Sequence, residues 1–294
     1  MKIVNYYRKE NINTFLLILP WIVVLFLFWL YPLIYAGYLS LTKYKTLTNQ
    51  TTFIGFQNYI RMFQDELFWK SLWNTVYFSI ITVPVTLIIS LILAELVNNK
   101  ITRFKNLFQS SYFLPSITSL VVISLIFTNL YSPSGYINML LRYLHIHTSA
   151  RGFLLSKSTA LNSIIAMDIW LSVGYYMVLI LAGMQTISQD LYDNAKLSGA
   201  NFWQQFIYIT IPNLRNTIAF VLMIDLIKSF QVFIEIFVMT KGGPLYSTTT
   251  MVYYIFENAF NKEDLMGYAS AIAYFLFFLL LILSFFQIKL ADKK

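Results

Sequence analysis

The sequence predicts an all-α integral membrane fold with six transmembrane helices. Three observations carry that prediction: 58% of the 294 residues are hydrophobic, only 12% are charged, and the apolar residues gather into long uncharged runs. Soluble domains carry about 25% charged residues, so roughly half the usual charge is missing. The mean hydropathy of +0.63 agrees.

A spanning helix needs about 20 predominantly apolar residues. Residues 11–42 hold no charge and contain a first span at about 15–38, with Pro20 and Pro32 inside it. The uncharged run 71–94 gives a second span, about 72–97. Residues 106–141 are again uncharged, and a third span falls in their first part, about 107–130. The fourth, about 160–182, carries only Asp168. The fifth, about 216–239, carries Asp225, Lys228 and Glu235, and the sixth, about 266–288, is uncharged. The chain thus reads as one transmembrane domain, 1–294, with both termini on the same side. Its first apolar run is too long for a cleavable leader, and no small-residue cleavage site follows it.

Lysine and arginine counts orient the spans. With the termini inside, the inner segments hold 11 and the longer outer segments hold 9. The bias is modest, and it places residues 188–212 in the cytoplasm. Outside, Tyr131-Ser-Pro-Ser-Gly135 reads as a turn cluster, and Tyr136 to Leu144 as an amphipathic segment at the interface. Lys241-Gly-Gly-Pro244 is a hard stop after the fifth span.

Several chemistries are excluded. The chain has no cysteine, so disulfides and thiolate-bound metals are absent. The net charge of +8 is scattered among loops and termini, as expected beside lipid headgroups and not as a nucleic-acid patch. No phosphate-cradling GxxxxGK[ST] pattern occurs. His145 and His147 are the only histidines, and their spacing makes a poor metal site on a helix. Asp65-Glu66 and Glu263-Asp264 read as solvated charge in outer loops. No nucleophile is paired with a base, so the chain alone is not read as an enzyme.

Charges inside spans demand a reason, because each costs about 3 kcal/mol or more at mid-bilayer. On the fifth helix, Asp225, Lys228, Ser229, Val232 and Glu235 fall at i, i+3, i+4, i+7 and i+10 and form one polar stripe. On the fourth, Asp168, Ser172 and Tyr175 recur at i, i+4 and i+7. Two readings follow. The stripes line a hydrophilic pathway, or Asp225 and Lys228 pair one turn apart to neutralise each other.

Residues 188–212 separate those two spans and read as two short helices joined by an elbow. Ser188 can cap the first, and Asp190 and Asp193 suit the positive end of its dipole. Gly199 can take the positive φ that ends a helix. Phe202, Trp203, Phe206 and Ile207 fall on one face of the second piece, and Pro212 suits the start of the next helix.

Here the residues resemble a known family, the permease subunits of ATP-binding-cassette importers for sugars. The loop is similar to that family's cytoplasmic EAA loop, whose usual form is close to LYEAAxxDGAxxWQxFxxIxLP. It stands here as Leu191-Tyr-Asp-Asn-Ala-Lys-Leu-Ser-Gly-Ala200, then Trp203-Gln204, Phe206, Ile209, Ile211 and Pro212. Other matches follow in order: Phe53-Ile-Gly-Phe-Gln-Asn-Tyr59, Phe113-Leu-Pro115, Ser229-Phe-Gln231, Thr240-Lys-Gly-Gly-Pro244 and Gly267-Tyr-Ala-Ser-Ala271. The departures lie at Asp193, Asn194 and Ser198, where the family has glutamate, alanine and aspartate, and at Ser188, where it has proline.

The resemblance implies the fold of a type I importer permease. It implies contact with an ATPase through Asp190, Tyr192, Asp193, Asn194, Ala195, Ser198, Gly199, Ala200 and Trp203. It also implies a substrate pathway through Asp168, Leu171, Ser172 and Tyr175, then Asp225, Lys228, Ser229 and Gln231. The implied partners are a second homologous permease, two cytoplasmic ATPase subunits that hold the ATP and magnesium, and an extracytoplasmic sugar-binding protein. The setting is a bacterial or archaeal cytoplasmic membrane, and no cofactor is expected in this chain. Amino acids or polyamines are the alternative cargo. A self-contained secondary transporter is the alternative class, and it leaves the capped loop unexplained.

Overall fold

The computed structural model describes residues 15–45, 50–98, 104–146 and 152–291. His147, residues 1–13 and the last three residues, on which part of the metal and orientation readings fall, lie outside the described residues. Among the described residues, five helices are long and apolar enough to cross a membrane, and six when one bent pair counts as a single span. The chain divides into two units, Met1–Gln64 with Ile255–Phe275, and Asp65–Tyr254 with Leu276–Lys294.

In the first unit, α1 (Phe15–Ser40) is apolar all round, and the chain buries none of its central stretch. A helix of that kind seeks lipid or another subunit. It widens into a π turn at Leu25–Leu30, where Tyr31 N–H reaches Phe26 O, immediately before Pro32. The wider turn moves aside the carbonyl that a proline ring would strike. Two strands that the all-helical reading lacked follow: β1 (Thr42–Lys45) pairs antiparallel with β2 (Gln50–Phe53). Helix α2 (Gln57–Gln64) braces this ribbon, with Asn58 Nδ2 donating to the carbonyls of Ser40 and Thr42 at 2.9 Å each.

The second unit is built on α3 (Glu66–Asn98). Asp65 caps it, with Oδ1 accepting from Leu67 N–H at 2.9 Å and Oδ2 from the Tyr254 hydroxyl. That corrects the reading of Asp65 as solvated charge. One face of α3 buries Ser71, Thr75, Ser79, Thr82, Thr86 and Ser90. Small side chains at helical spacing let helix backbones approach within a membrane. α3 packs along α7 (Ala160–Met184), where Ser90 Oγ donates to Val173 O at 3.0 Å.

The expected straight third span is two helices, α4 (Lys105–Ile117) and α5 (Leu120–Leu130), bent by 95°. Pro115 removes a backbone donor, and Thr118 turns extended. Thr118 then satisfies the loose carbonyls, its N–H bonding Pro115 O at 3.1 Å and its Oγ1 bonding Leu114 O at 2.9 Å. α4 lies hard against α7 at Gly174, where a Cβ would come 1.7 Å from Tyr112 O. The amphipathic segment after the turn cluster is helical, as α6 (Tyr136–Tyr143).

The expected fifth span is present as Arg215–Met239, with a short interruption inside it. α10 (Arg215–Phe230) ends at Gln231, and α11 (Ile234–Met239) begins after Phe233. Between the span before it and α10 lie α8 (Gln189–Leu197) and α9 (Phe202–Gln205). The Val232 carbonyl freed by the break accepts from Thr250 Oγ1 at 3.0 Å. The Glu235 carboxylate takes the backbone N–H of Phe233 and its own. After α11, Lys241 (φ 50) and Gly242 (φ 77) make the expected stop. Asn74 Nδ2 then holds the following loop to α3 through Thr249 O at 2.9 Å. α12 (Met251–Phe256) and α13 (Met266–Ala291) complete the chain.

Candidate functional site

A cavity of about 480 Å³ opens among α3, α7 and the α10–α11 break. Asp168, Lys228, Ser229, Gln231 and Glu235 give it polar walls, and Phe78 and Phe233 aromatic ones. Lys228 reaches across from α10 to α7. Its Nζ stands 3.2 Å from Asp168 Oδ1 and donates to Ser172 Oγ at 2.6 Å. The Asp168 side chain is 3% exposed, whereas that of Lys228, which lines the cavity, is 41% exposed.

The alternative pairing of Lys228 with Asp225 is therefore not what forms. Asp225 is buried, and neither carboxylate oxygen meets hydrogen-bond geometry, although the Tyr176 hydroxyl lies beside it. Of the expected pathway residues, Asp168, Lys228, Ser229 and Gln231 line the cavity. Ser172 backs the ion pair, Leu171 and Asp225 are buried off the wall, and Tyr175 is exposed elsewhere on α7. The fifth-helix stripe does not survive as a helical face, because the break resets the count before Glu235. Glu235 still arrives on the wall, carried by the turn. Phe78 and Phe233 were missed, and no local pattern marks them.

The loop has the expected shape with more supports than expected. Ser188 Oγ accepts from Asp190 N–H, opening α8. At its end Gly199 takes φ +80. Gly199 N–H bonds Lys196 O at 3.0 Å and Ala200 N–H bonds Ala195 O at 2.9 Å, closing the helix in a Schellman motif. Asn201 then caps α9. Gln204 N–H bonds Asn201 Oδ1 at 2.9 Å, and Asn201 N–H bonds Gln204 Oε1 at 2.8 Å. This capping box was legible in the Asn-x-x-Gln spacing. A second π turn, Phe206–Thr210, precedes Pro212 as the first precedes Pro32.

Asp190, Asp193, Asn194, Ser198 and Gly199 are exposed, and Ala195 and Ala200 half-buried. Leu197 is 88% exposed and Trp203 59%. Tyr192 is half-buried and turns inward, its hydroxyl 3.0 Å from Thr210 Oγ1. Asp193 is engaged by Gln189 Nε2 at 3.2 Å and Lys196 Nζ at 3.7 Å. Capped at both ends, the loop is ordered and holds large apolar side chains in the open.

Residues 68–294 match the family described as the binding-protein-dependent transport system inner membrane component. The chain belongs to this family. The permease is 35% identical to a probable ABC transporter permease protein, YurN of Bacillus subtilis, over 96% of its own length and 97% of the relative's. It is 33% identical to LacF of Rhizobium radiobacter, a lactose transport system permease protein, covering 98% and 96%. SmoG of Agrobacterium fabrum, a sulfoquinovosyl glycerol transport system permease protein, is 35% identical, covering 91% and 86%. In fold it is similar to a chain of a bacterial ABC transporter that imports alginate, with a TM-score of 0.86 at 24% identity and 99% of each chain covered.

Proposed function

We propose that this permease is the membrane subunit of an ATP-driven importer of di- or oligosaccharides. The observation that carries the reading is its similarity, over nearly its whole length, to permeases named for lactose and for a sulfoquinovosyl glycoside. A second, homologous permease would complete the pathway and cover part of the bare apolar surface of α1. Two cytoplasmic ATPase subunits, holding ATP and magnesium, would each grip one permease through its α8–α9 loop. In this chain that grip would use the apolar surface at Leu197 and Trp203 and the polar side chains of Asp190, Asp193, Asn194 and Ser198, around the Gly199 elbow. An extracytoplasmic binding protein would deliver the sugar from the side opposite the termini.

The lumen suits such a cargo. Lys228, Gln231, Ser229 and Glu235 offer both donors and acceptors to hydroxyls, and Phe78 and Phe233 offer flat apolar surface. Asp168 and Ser172 would hold the Lys228 ammonium in place. The test is reconstitution in vesicles with the partner permease, the ATPase and the binding protein, offering lactose, maltose and an arabino-oligosaccharide. The expected result is uptake of at least one, dependent on ATP inside the assay. Uptake without the ATPase subunits would refute the reading.

A further inference from the structure

We infer that Glu95 and Thr210 tether the docking helix α8 to α3, making α3 a third route by which motion of the loop reaches the cavity. This rests on the ATPase-docking reading above. Neither residue lies on the exposed face of the loop or on the cavity wall.

The tether is a chain of hydroxyls. Thr210, in the π turn after α9, is fully buried, and its Oγ1 is 3.0 Å from the Tyr192 hydroxyl of α8. The same threonine hydroxyl lies beside the carboxylate of Glu95, near the end of α3, and Phe206 of the same π turn shares one apolar cluster with Leu91, Ala94 and Val97 of α3. A threonine hydroxyl has one proton, and a carboxylate only accepts. A Thr210 proton turned toward Glu95 leaves the Tyr192 hydroxyl as the donor to Thr210. The other oxygen, Glu95 Oε2, is buried with no partner. A half-satisfied carboxylate at a helix joint is not what stability alone favours, and ionisable groups in spans mark functional positions.

The middle of α3 is at the cavity. Ser79, sixteen residues before Glu95 and so roughly 24 Å away along the helix, has its Oγ 2.9 Å from Ser229 Oγ. Its neighbour Phe78 is on the cavity wall. Through the chain alone, α8 is joined only to α7 before it and α10 after it, and the elbow would let it swing. With the third attachment, displacement of α8 moves α3 as well, and with it the Phe78 side of the lumen.

The experiment uses the complete reconstituted importer and measures ATP hydrolysed per sugar taken up, for whichever sugar of the panel the vesicles accept. Tyr192→Phe and Thr210→Val should raise that ratio about five-fold or more, the lower range of typical coupling energies. Thr210→Ser, which keeps the hydroxyl, should restore it, and Glu95→Gln, which keeps an acceptor, should be milder than Glu95→Ala. An unchanged ratio in intact complexes of Tyr192→Phe and Thr210→Val would overturn the tether and leave the importer reading standing. Loss of the ATPase subunits from purified Tyr192→Phe complexes would also overturn it, assigning Tyr192 to docking. If the unsubstituted complex hydrolyses no ATP in response to any sugar, the importer reading fails first.

Discussion

Lys228 pairs with Asp168 on the neighbouring helix, at 3.2 Å, and not with Asp225 one turn back on its own. The pair thus fastens α10 to α7 at the edge of the lumen instead of neutralising a single helix. Removing one partner from a buried pair is more damaging than removing both, because it leaves a charge without compensation.

Lys228→Met should therefore destabilise the permease by about 3 kcal/mol, the low end for such pairs because the lysine is partly exposed. Lys228→Met with Asp168→Leu should recover much of that loss while abolishing uptake. Thermal unfolding in detergent and vesicle uptake measure the two effects. A double variant no more stable than the single one would show that the pair is not coupled.

Gly199 should tolerate substitution according to backbone preference and not size. A Cβ there meets nothing within 4 Å, but φ is +80. Valine should weaken the elbow by about 1–2 kcal/mol, uncoupling hydrolysis from transport in a protein that still inserts. Asparagine, which accepts left-handed geometry, should be milder. Equal transport by the valine variant and the parent would refute the elbow argument.

Gly174 is the opposite case. Its φ is ordinary, but a Cβ would overlap Tyr112 O. Gly174→Ala should push α4 off α7 and cost about 1–3 kcal/mol or more. The readout is a lowered melting temperature together with cysteine cross-linking between introduced pairs on the two helices. Unchanged cross-linking would mean that the contact is looser than described.

The capping box of α9 should show in hydrogen exchange. Asn201→Ala or Gln204→Ala should each cost about 1 kcal/mol of local stability, speeding amide exchange from Trp203 to Gln205 several-fold. Exchange at Gly174 should not change. Uniform acceleration across both regions would indicate global destabilisation instead.

Most spans were legible because an uncharged run of spanning length has few other uses. The breaks were harder to see. Pro115 was visible, but the 95° bend also needs the extended backbone at Thr118, which propensity does not dictate. The gap between Phe230 and Ile234 contains neither proline nor glycine. It is held by Thr250 and by the backbone contacts of Glu235, which become neighbours only in the fold. Asp168, Lys228 and Ser172 were legible as a polar set, since charge in a span needs a reason. The choice of partner was not, because it depends on how two helices are rotated about their axes. The Asn201-x-x-Gln204 spacing makes the cap fully legible, whereas the sequence reading of that piece rests on its apolar face alone.

The π turn at Phe206–Thr210 holds one residue more than the α turn it replaces. Each residue advances a helix by about 100°, so this surplus residue sets the phase between Trp203 on one side and Lys228 on the other. The bearing of the loop's exposed apolar face relative to the cavity thus depends on a count of residues, here and at the turn of Leu214. A one-residue deletion between Phe206 and Thr210 would remove neither Leu197 nor Trp203 nor any cavity side chain, yet it would turn the loop's apolar face by about 100° relative to the cavity. Substitution scans of the same stretch would leave that dependence invisible.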